Sequence, residues 1–339
     1  MQIMLIYHSL EVVYIDTGTD GLKTSALVTR ANESFSQIFW KYIKHNYQLI
    51  IMLLPGLLML VLFKIAPIGA MVIAFQDFNA FKGIFNSDWV GFNQFVKIFS
   101  EPYMVTLVKN TLLLAFYSLL FSFPIPIIFS LMVNEVKLKR FKGAVQSISF
   151  LPYFISSAVM VSILYTMLSP STGIVNMLMK SAGMDSISFM TEPRWFRTFY
   201  VILQIWQTFG YSAVIYLASI TSIDPCLYES ASIDGATRWH KMSHIILPSI
   251  SGTIIVMLII SIGNIFTVDL DRILLMYNSS VYETADVIQT YVYRMGFSTI
   301  SFPDYSYGTA VNMLKSIVAF ILVITTNRIS KKYSDSPLF

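Results

Sequence analysis

Long apolar stretches alternate with short polar segments along the chain from about residue 47 onward. A helix that crosses a bilayer needs roughly 20 apolar residues, because its backbone groups must all be paired within the hydrocarbon. Six stretches meet this requirement, at residues 47–71, 105–132, 149–169, 198–220, 249–268 and 307–326. The pattern therefore predicts an all-α membrane protein with six transmembrane helices and both termini on the same side.

The positions of lysine and arginine indicate the orientation of these spans. Cytoplasmic loops of membrane proteins carry an excess of these residues. One alternating set of polar segments holds 12 of them and the other set holds seven. The richer set is 30–48, 133–148, 221–248 and 327–339, and the poorer set is 76–104, 170–197 and 269–306. Both termini and the segment 221–248 are therefore predicted to be cytoplasmic, whereas the long, aromatic segment 269–306 is predicted to be an ordered outer loop.

The composition agrees with a membrane protein and excludes several other classes. Of the 339 residues, 55% are hydrophobic and 12% charged, and the mean hydropathy is +0.64. A single cysteine, Cys226, cannot form an intrachain disulfide, and the four histidines lack the spacing of a metal site. The charges lie in loops and form no basic face, so no nucleic-acid partner is expected.

The two ends of the chain differ from the hydrophobic part. The first thirty residues have no basic region before an apolar core and no small-residue cleavage site, so they do not resemble a signal peptide. We expect residues 1–34 to be a disordered or non-native tail, residues 35–332 to be the transmembrane domain, and residues 333–339 to be a short C-terminal tail.

The polar segment 221–248 carries several helix-boundary signals. Asp224 followed by Pro225 is a strong helix start, because the carboxylate accepts backbone donors and proline lacks the N–H that would be unpaired there. Gly235 stands where a left-handed residue would end this helix after about ten residues. Thr237 resembles a second N-cap, and Pro248 marks the junction with the next span. The sequence predicts a helix, a sharp turn and a second helix.

The first of these two helices is suited to contact another protein. Ser230, Ala231 and Ser232 are small, so a partner can approach closely. The alternative is an amphipathic helix lying on lipid, but such helices carry a basic polar face. This helix has acidic residues and no basic one before Arg238. A protein partner is the favoured interpretation.

The same segment resembles a family signature. Glu229-Ser230-Ala231, three residues, Gly235, nine residues and Ile245-Ile246-Leu247-Pro248 resemble the EAA motif, E-A-A-x3-G-x9-I-x-L-P, of permease subunits in bacterial ABC importers. The departure is Ser230, where the family prefers alanine. "WVGFNQF" at 89–95, "FLPYFIS" at 150–156 and "YNSSVYETADVIQTYVYRMG" at 277–296 resemble the branch that handles complex oligosaccharides, including rhamnogalacturonan-, polygalacturonate- and lipo-oligosaccharide-type substrates.

This resemblance implies a type I importer permease fold, alternating access and a set of partners. The partners are a second homologous permease subunit, two cytoplasmic ATPase subunits and an extracytoplasmic solute-binding protein. In that family the motif forms a coupling helix seated in a cleft of the ATPase. The residues implied to couple to the ATPase are Tyr228, Glu229, Ser230, Ala231, Asp234, Gly235 and Arg238.

The chain has no recognisable catalytic or nucleotide-binding motif. The glycines and lysine of "GTDGLKTS" do not have the spacing of a phosphate-binding loop. ATP and Mg²⁺ are therefore expected to be bound by the partner ATPase, and this chain to have no cofactor and no enzymatic activity. His240 and His244 lie four residues apart, but no third ligand accompanies them, so they are predicted to be surface residues.

Polar residues within the spans are candidates for the substrate pathway, because they are costly in hydrocarbon unless they line a cavity. Gln204, Gln207 and Tyr211 follow i, i+3, i+7 and share one helix face. The candidate pathway residues are Tyr165, Gln204, Gln207, Tyr211, Asn264 and Asn312. The alternative is that these side chains only form hydrogen bonds between helices.

Two other functional classes remain open at this point. An ATP-independent secondary sugar transporter would use ionisable residues inside the membrane for ion coupling. Apart from Lys64 and Lys315, both of which are expected near the ends of spans, the apolar runs hold almost no ionisable residue. A membrane enzyme acting on lipid-linked sugars would need catalytic carboxylates, for which the only candidates are Asp269 and Asp271.

Overall fold

The computed structural model describes residues 44–297 and 303–333. The chain divides into two units, residues 1–69 and residues 70–339. The predicted N-terminal tail 1–34 lies outside the described residues, as does the C-terminal tail beyond residue 333. In the first unit, α1 (Tyr47–Leu60) continues through a π-helical turn at Val61–Ile65 into α2 (Ala66–Ala70).

The second unit is almost entirely helical. It begins with a 3₁₀ turn at Met71–Phe75 and a small antiparallel pair, β1 and β2, in which Gln76 faces Trp89. The elements are β1 (Gln76–Asp77), α3 (Gly83–Asn86), β2 (Asp88–Trp89), α4 (Asn93–Ser100), α5 (Pro102–Ser122), α6 (Pro124–Asn134), α7 (Lys139–Phe150), α8 (Ser157–Leu168), α9 (Ile174–Ser181), α10 (Pro193–Thr221), α11 (Pro225–Ile233), α12 (Arg238–Lys241), α13 (Leu247–Ser249), α14 (Ser251–Gly263), α15 (Leu270–Met276), α16 (Tyr282–Ala285), α17 (Ile288–Phe297) and α18 (Tyr305–Tyr333).

Among the described residues, four helical segments are long and apolar enough to cross a membrane. They are Tyr47–Phe75, Pro102–Asn134, Pro193–Thr221 and Tyr305–Arg328. The two other predicted spans are bent pairs, Lys139–Phe154 with Ser157–Leu168 at 99° and Arg238–Ser249 with Ser251–Gly263 at 59°. The count reaches six when each bent pair is one span, in agreement with the predicted fold class.

The predicted span 149–169 is broken by a sharp bend. Its first residues form the end of α7 and a 3₁₀ turn at Leu151–Phe154, and Ser156 then caps α8, accepting a hydrogen bond from the backbone N of Val159. The twelve residues of α8 extend about 18 Å, less than the roughly 30 Å of a hydrocarbon core. Proline at position 152 permits the break, because it cannot donate the backbone hydrogen bond of a continuing helix.

Helix α10 lies at the centre of the second unit and packs against α5, α6 and α7. The main core is formed by α5, α8, α10 and α15, with Leu114, Met160, Tyr200 and Ile273 among its buried side chains. The last helix, α18, packs against Met71–Phe75, α14 and α17. Two groups of helices are thus formed, and α5 contributes to the core of each.

The contact between α10 and the bend after α7 depends on Gly210. A Cβ atom there would lie 2.0 Å from the backbone oxygen of Ser149. We expect Gly210→Ala to separate α10 from the bend and to lower the thermal midpoint of the purified protein by several degrees, because a backbone clash is not relieved by a rotamer change. The control is Gly143→Ala, where the added Cβ meets no atom within 4 Å. Equal midpoints for the two variants would contradict this role of Gly210.

The segment 269–306, which was predicted to be an ordered outer loop, is ordered in its described part. Residues 270–276, 282–285 and 288–297 form α15, α16 and α17. Segment 269–297 packs against α10 through Thr284 Oγ1, which donates a hydrogen bond of 2.7 Å to the backbone oxygen of Pro193.

The expectation that Lys64 and Lys315 lie near span ends is wrong. Lys64 stands seventeen residues from one end of the span Tyr47–Phe75 and eleven from the other. Lys315 stands ten residues from one end of the span Tyr305–Arg328 and thirteen from the other. The predicted boundaries 307–326 already placed Lys315 eight residues inside its span, too far from the end for a membrane–water interface.

Candidate functional site

Helix α11 has well-defined capping at both ends, as the sequence predicts. The Asp224 side chain accepts a hydrogen bond of 2.9 Å from the backbone N of Cys226. At the other end, the backbone N of Ala236 donates to the oxygen of Ala231, and the N of Gly235 donates to the oxygen of Ser232. These two bonds form a Schellman motif, which requires a left-handed residue at Gly235, and its φ is +74°.

A second helix follows immediately after this turn. Thr237 caps α12 and accepts a hydrogen bond of 3.3 Å from the backbone N of His240. The helical path continues to Ser249, where the 59° bend follows Pro248. Lys241 Nζ donates a hydrogen bond of 2.6 Å to Ser232 Oγ and so links the two helices. The predicted helix, turn and helix are confirmed.

His240 and His244 lie on the surface of this second helix. Their ring centroids are 5.9 Å apart. The Nδ1 atom of His240 is 3.0 Å from Thr237 Oγ1, and that of His244 is 2.8 Å from Ser243 Oγ. Within the part of the chain that the structure describes, no three His, Cys, Asp or Glu residues are grouped so that they could hold a metal ion.

Tyr228 anchors α11 to the membrane helices. Its ring packs against a cluster that includes Leu131 of α6, Ile220 of α10 and Ile246. Burial raises the pKa of the Tyr228 hydroxyl, and the nearby Glu135 carboxylate raises it further. Glu135 also forms a long ion pair of 3.9 Å with Nε of Arg238. Tyr228 and Arg238 therefore connect this segment to the ends of α6 and α10.

The opposite side of α11 is exposed. The carboxylates of Glu229 and Asp234 have no hydrogen-bond or ion-pair partner in residues 44–297 and 303–333. Ile233 is 87% exposed and Trp239 of α12 is 70% exposed. The hydroxyls of Ser230 and Ser232 donate to the backbone of their own helix, so they present little free polarity. We name Glu229, Ile233, Asp234 and Trp239 the coupling surface.

The sequence analysis missed the apolar part of this surface. Ile233 and Trp239 lie in a segment that is otherwise polar, and an exposed tryptophan or isoleucine beside unpaired carboxylates is typical of a protein interface. The sequence did contain a signal for it, because Ile233 and Trp239 are large apolar residues on either side of the turn at Gly235.

A cavity of about 410 Å³ lies between α5, α10 and α14. Its wall is rich in hydroxyl and amide groups, including Ser118, Ser122, Gln204, Thr208, Ser261 and Asn264. Ser122 Oγ and Gln204 Oε1 are buried and form no hydrogen bond among the described residues. Unsatisfied polar groups are costly in a membrane core, so these two oxygen atoms are candidate hydrogen-bond partners for a polar ligand.

The structure separates the predicted pathway residues. Gln204 and Asn264 line the cavity, whereas Tyr165 and Asn312 do not. Gln207 and Tyr211 were predicted to line the pathway together with Gln204. In the structure they contact the bend after α7. Gln207 Nε2 donates a hydrogen bond of 2.8 Å to the backbone oxygen of Ile155. Tyr211 stacks on Tyr153 with ring centroids 4.0 Å apart.

One end of the cavity carries an ion pair. Nη2 of Arg272 lies 2.9 Å from Oδ2 of Asp269, and the Arg272 side chain is 3% exposed. Nη2 also donates to Oε1 of Gln207, and the guanidinium stands over the ring of Tyr200. Oδ1 of Asp269 caps α15 by accepting from the backbone N of Arg272. Asp271, by contrast, is exposed, so Asp269 and Asp271 do not form a pair of carboxylates.

A second buried charge lies in the segment 269–297 and was not predicted. The Asp286 side chain is 0% exposed and accepts two hydrogen bonds from Arg294, at 2.7 and 2.9 Å. Tyr103, Tyr277 and Thr290 donate further bonds to it, at 2.7, 2.8 and 2.6 Å. Burial opposes ionisation of Asp286, but these donors outweigh burial and hold the pKa of its carboxyl below the ordinary value.

Comparisons with known proteins identify a matching family and several relatives of this chain. The family described as binding-protein-dependent transport system inner membrane component matches residues 106–331. The polygalacturonan/rhamnogalacturonan transport system permease protein YteP of Bacillus subtilis (strain 168) is 39% identical over 91% of this chain and 94% of its own length. Protein LplB of the same organism is 39% identical over 88% of this chain and 92% of its own length. A chain of a bacterial alginate ABC transporter, crystallised in complex with an alginate pentasaccharide-bound periplasmic protein, matches with a TM-score of 0.80 and 40% identity over 88% of this chain and 99% of that chain.

Proposed function

The chain belongs to the family of binding-protein-dependent transport system inner membrane components, and we propose that it moves acidic oligosaccharides through its cavity while its coupling surface binds an ATPase. It is the multi-pass permease component of an ABC sugar importer. It is a transport subunit and not an enzyme, because its relatives are permeases whose ATPase is a separate subunit. This membership favours the ATP-driven importer over an ATP-independent secondary transporter.

The coupling surface is the observation that carries the proposal. Its two unpaired carboxylates and its exposed Ile233 and Trp239 require a partner, and Tyr228 links them to the membrane helices. We assign this partner as one of two cytoplasmic ATPase subunits, which would bind ATP and Mg²⁺. Tyr228, Glu229, Ser230, Ala231, Asp234, Gly235 and Arg238 then form the coupling segment. This assignment places α11 and both termini on the cytoplasmic side, in agreement with the charge distribution.

The remaining partners follow from the relatives. The periplasmic protein bound to the alginate transporter supports an extracytoplasmic binding protein that delivers the sugar to the outer segment. A second, homologous permease subunit would complete the pathway. The substrates in the names of YteP and of the alginate transporter are rich in uronic acids, which supports an acidic oligosaccharide as the cargo.

The cavity is proposed as this subunit's part of the pathway. Hydroxyl and amide side chains suit sugar hydroxyls, because each can both donate and accept hydrogen bonds. Closure of the ATPases would move α11, and through Tyr228 the ends of α6 and α10, so that the cavity opens alternately to each side.

The test is the transport kinetics of cavity variants. We expect Gln204→Leu and Asn264→Leu each to raise the KM of ATP-dependent uptake roughly tenfold in proteoliposomes holding both permeases and the ATPases and supplied with the sugar-binding protein, because each loses hydrogen bonds to the sugar. Asn312→Leu is the control, since Asn312 does not line the cavity. If Asn312→Leu alone raised the KM, the assignment of the cavity would be wrong.

A further inference from the structure

Lys315 is an unpaired cation inside a membrane span. It stands ten residues into the span Tyr305–Arg328, a depth of about 15 Å. No hydrogen bond or ion pair of its side chain is formed within residues 44–297 and 303–333. Placing an ionisable side chain at this depth costs free energy, and such residues generally serve a function. We therefore look for an anionic partner of Lys315 outside the described residues.

The surroundings of Lys315 are apolar. It lines a cavity of about 340 Å³ between α4, α5 and α18, together with Val108, Leu112 and Leu314. Glu101 lines the same cavity, but no ion pair within 4.0 Å joins it to Lys315. Low polarity strengthens the attraction between Lys315 and any anion that enters.

This second cavity neighbours the polar cavity described above. Val108 and Leu112 line the second cavity, and Ala115, Leu119 and Ser122 line the first. These five residues of α5 follow one another at intervals of four or three, so they form a single face of the helix. The segment after α14 also contributes to both, through Asn264 to the first cavity and Phe266 to the second. A ligand moving along this face of α5 would pass Lys315.

We propose that Lys315 binds a carboxylate of the oligosaccharide during translocation and makes the pathway selective for acidic sugars. The inference rests on the proposed function, because it takes the face of α5 as the route of the sugar. Lys315 suits this role better than Arg272 does. The Arg272 guanidinium is already paired with Asp269 and Gln207, whereas the Lys315 ammonium has three free donors.

The experiment measures sugar binding without the binding protein, whose own specificity would otherwise decide the result. The complete complex of both permeases and the ATPases is placed in nanodiscs of neutral lipid. It is then titrated with an oligogalacturonide and with the same oligosaccharide after reduction of its carboxyl groups. The variants are Lys315→Gln and Lys315→Arg, and the control is Lys64→Gln, a second lysine within an apolar run that does not line this cavity.

We expect Lys315→Gln to raise the Kd of the acidic sugar roughly tenfold or more and to leave that of the reduced sugar unchanged, because only the carboxylate interacts with the ammonium. Lys315→Arg should retain most of the affinity. Lys64→Gln should behave as wild type. In the wild type, added salt should weaken binding of the acidic sugar alone, a measurement that needs no variant to fold.

Other results would overturn the inference in distinguishable ways. Equal losses for both sugars, or no loss for either, would remove Lys315 from sugar recognition while leaving the importer function intact. Release of the second permease by Lys315→Gln would show that the ammonium pairs with a carboxylate of that subunit. Failure of the wild-type complex to bind either sugar would contradict the proposed function as well.

Discussion

Replacing Glu229 by lysine is expected to stop ATP-driven uptake almost completely and to release the ATPase, while the second permease stays bound. The Glu229 carboxylate is exposed on α11 and has no partner among the described residues, so it is available to a basic residue of the ATPase. Reversing the charge of one member of a close interfacial pair costs about 2–5 kcal/mol, or roughly 30-fold or more in affinity. The fold should be unaffected, because no contact within this chain is lost.

The measurement is affinity purification from solubilised membranes, followed by quantification of each subunit. Asp185→Lys is a matched control, since Asp185 is also an exposed acidic residue but lies in a segment predicted to be outside the cell. It should keep the ATPase. Retention of the ATPase by Glu229→Lys, with normal uptake, would remove α11 from the coupling role.

Replacing Arg294 by methionine is expected to destabilise the protein by about 3–5 kcal/mol, toward the lower end because the Arg294 side chain is 36% exposed. Asp286 would be left fully buried without its cation. The double variant Asp286→Asn, Arg294→Met should recover part of this loss, since it removes the buried charge. Detergent-based unfolding monitored by size-exclusion chromatography would measure both. An Arg294→Met protein as stable as wild type would show that the three hydroxyl donors alone satisfy Asp286.

The same pair predicts a direction for the effect of pH. The pKa of Asp286 is lower in the folded protein than its ordinary value of about 3.9. The pair therefore contributes its full stabilisation above pH of about 4, and this contribution is lost as the pH falls through the folded-state pKa.

The exposed ion pair Lys82–Asp88 serves as a comparison for the buried pair. Asp88→Asn should lower the free energy of unfolding by less than about 1 kcal/mol.

Local signals in the sequence predicted the coupling segment well. Asp224, Gly235 and Thr237 act through hydrogen bonds to residues at most five positions away, so residue type and spacing were sufficient. The six apolar stretches were equally readable, because membrane crossing depends on length and composition.

Features that depend on tertiary contacts were not predicted. The break after Phe150 contacts Gly210 and Gln207 of α10, which lie more than fifty residues further along the chain. The hydrogen bond from Tyr103 to Asp286 spans 183 positions. Helical periodicity placed Gln207 on the same face as Gln204. It could not predict that the Gln207 amide donates a hydrogen bond to the backbone oxygen of Ile155. The buried carboxylate of Asp286 was missed for the same reason, whereas the ion pair of Asp269 with Arg272 joins residues only three positions apart.

Cross-linking through Cys226 tests the central claim most directly. It is the only cysteine of the chain, and it is exposed on α11 next to the cap residue Asp224. A photoactivatable maleimide placed on it in the assembled transporter should form an adduct with the ATPase subunit, and Cys226→Ser should abolish that adduct. Adducts formed only with lipid or with the extracytoplasmic binding protein would contradict the assignment of α11 as the coupling helix.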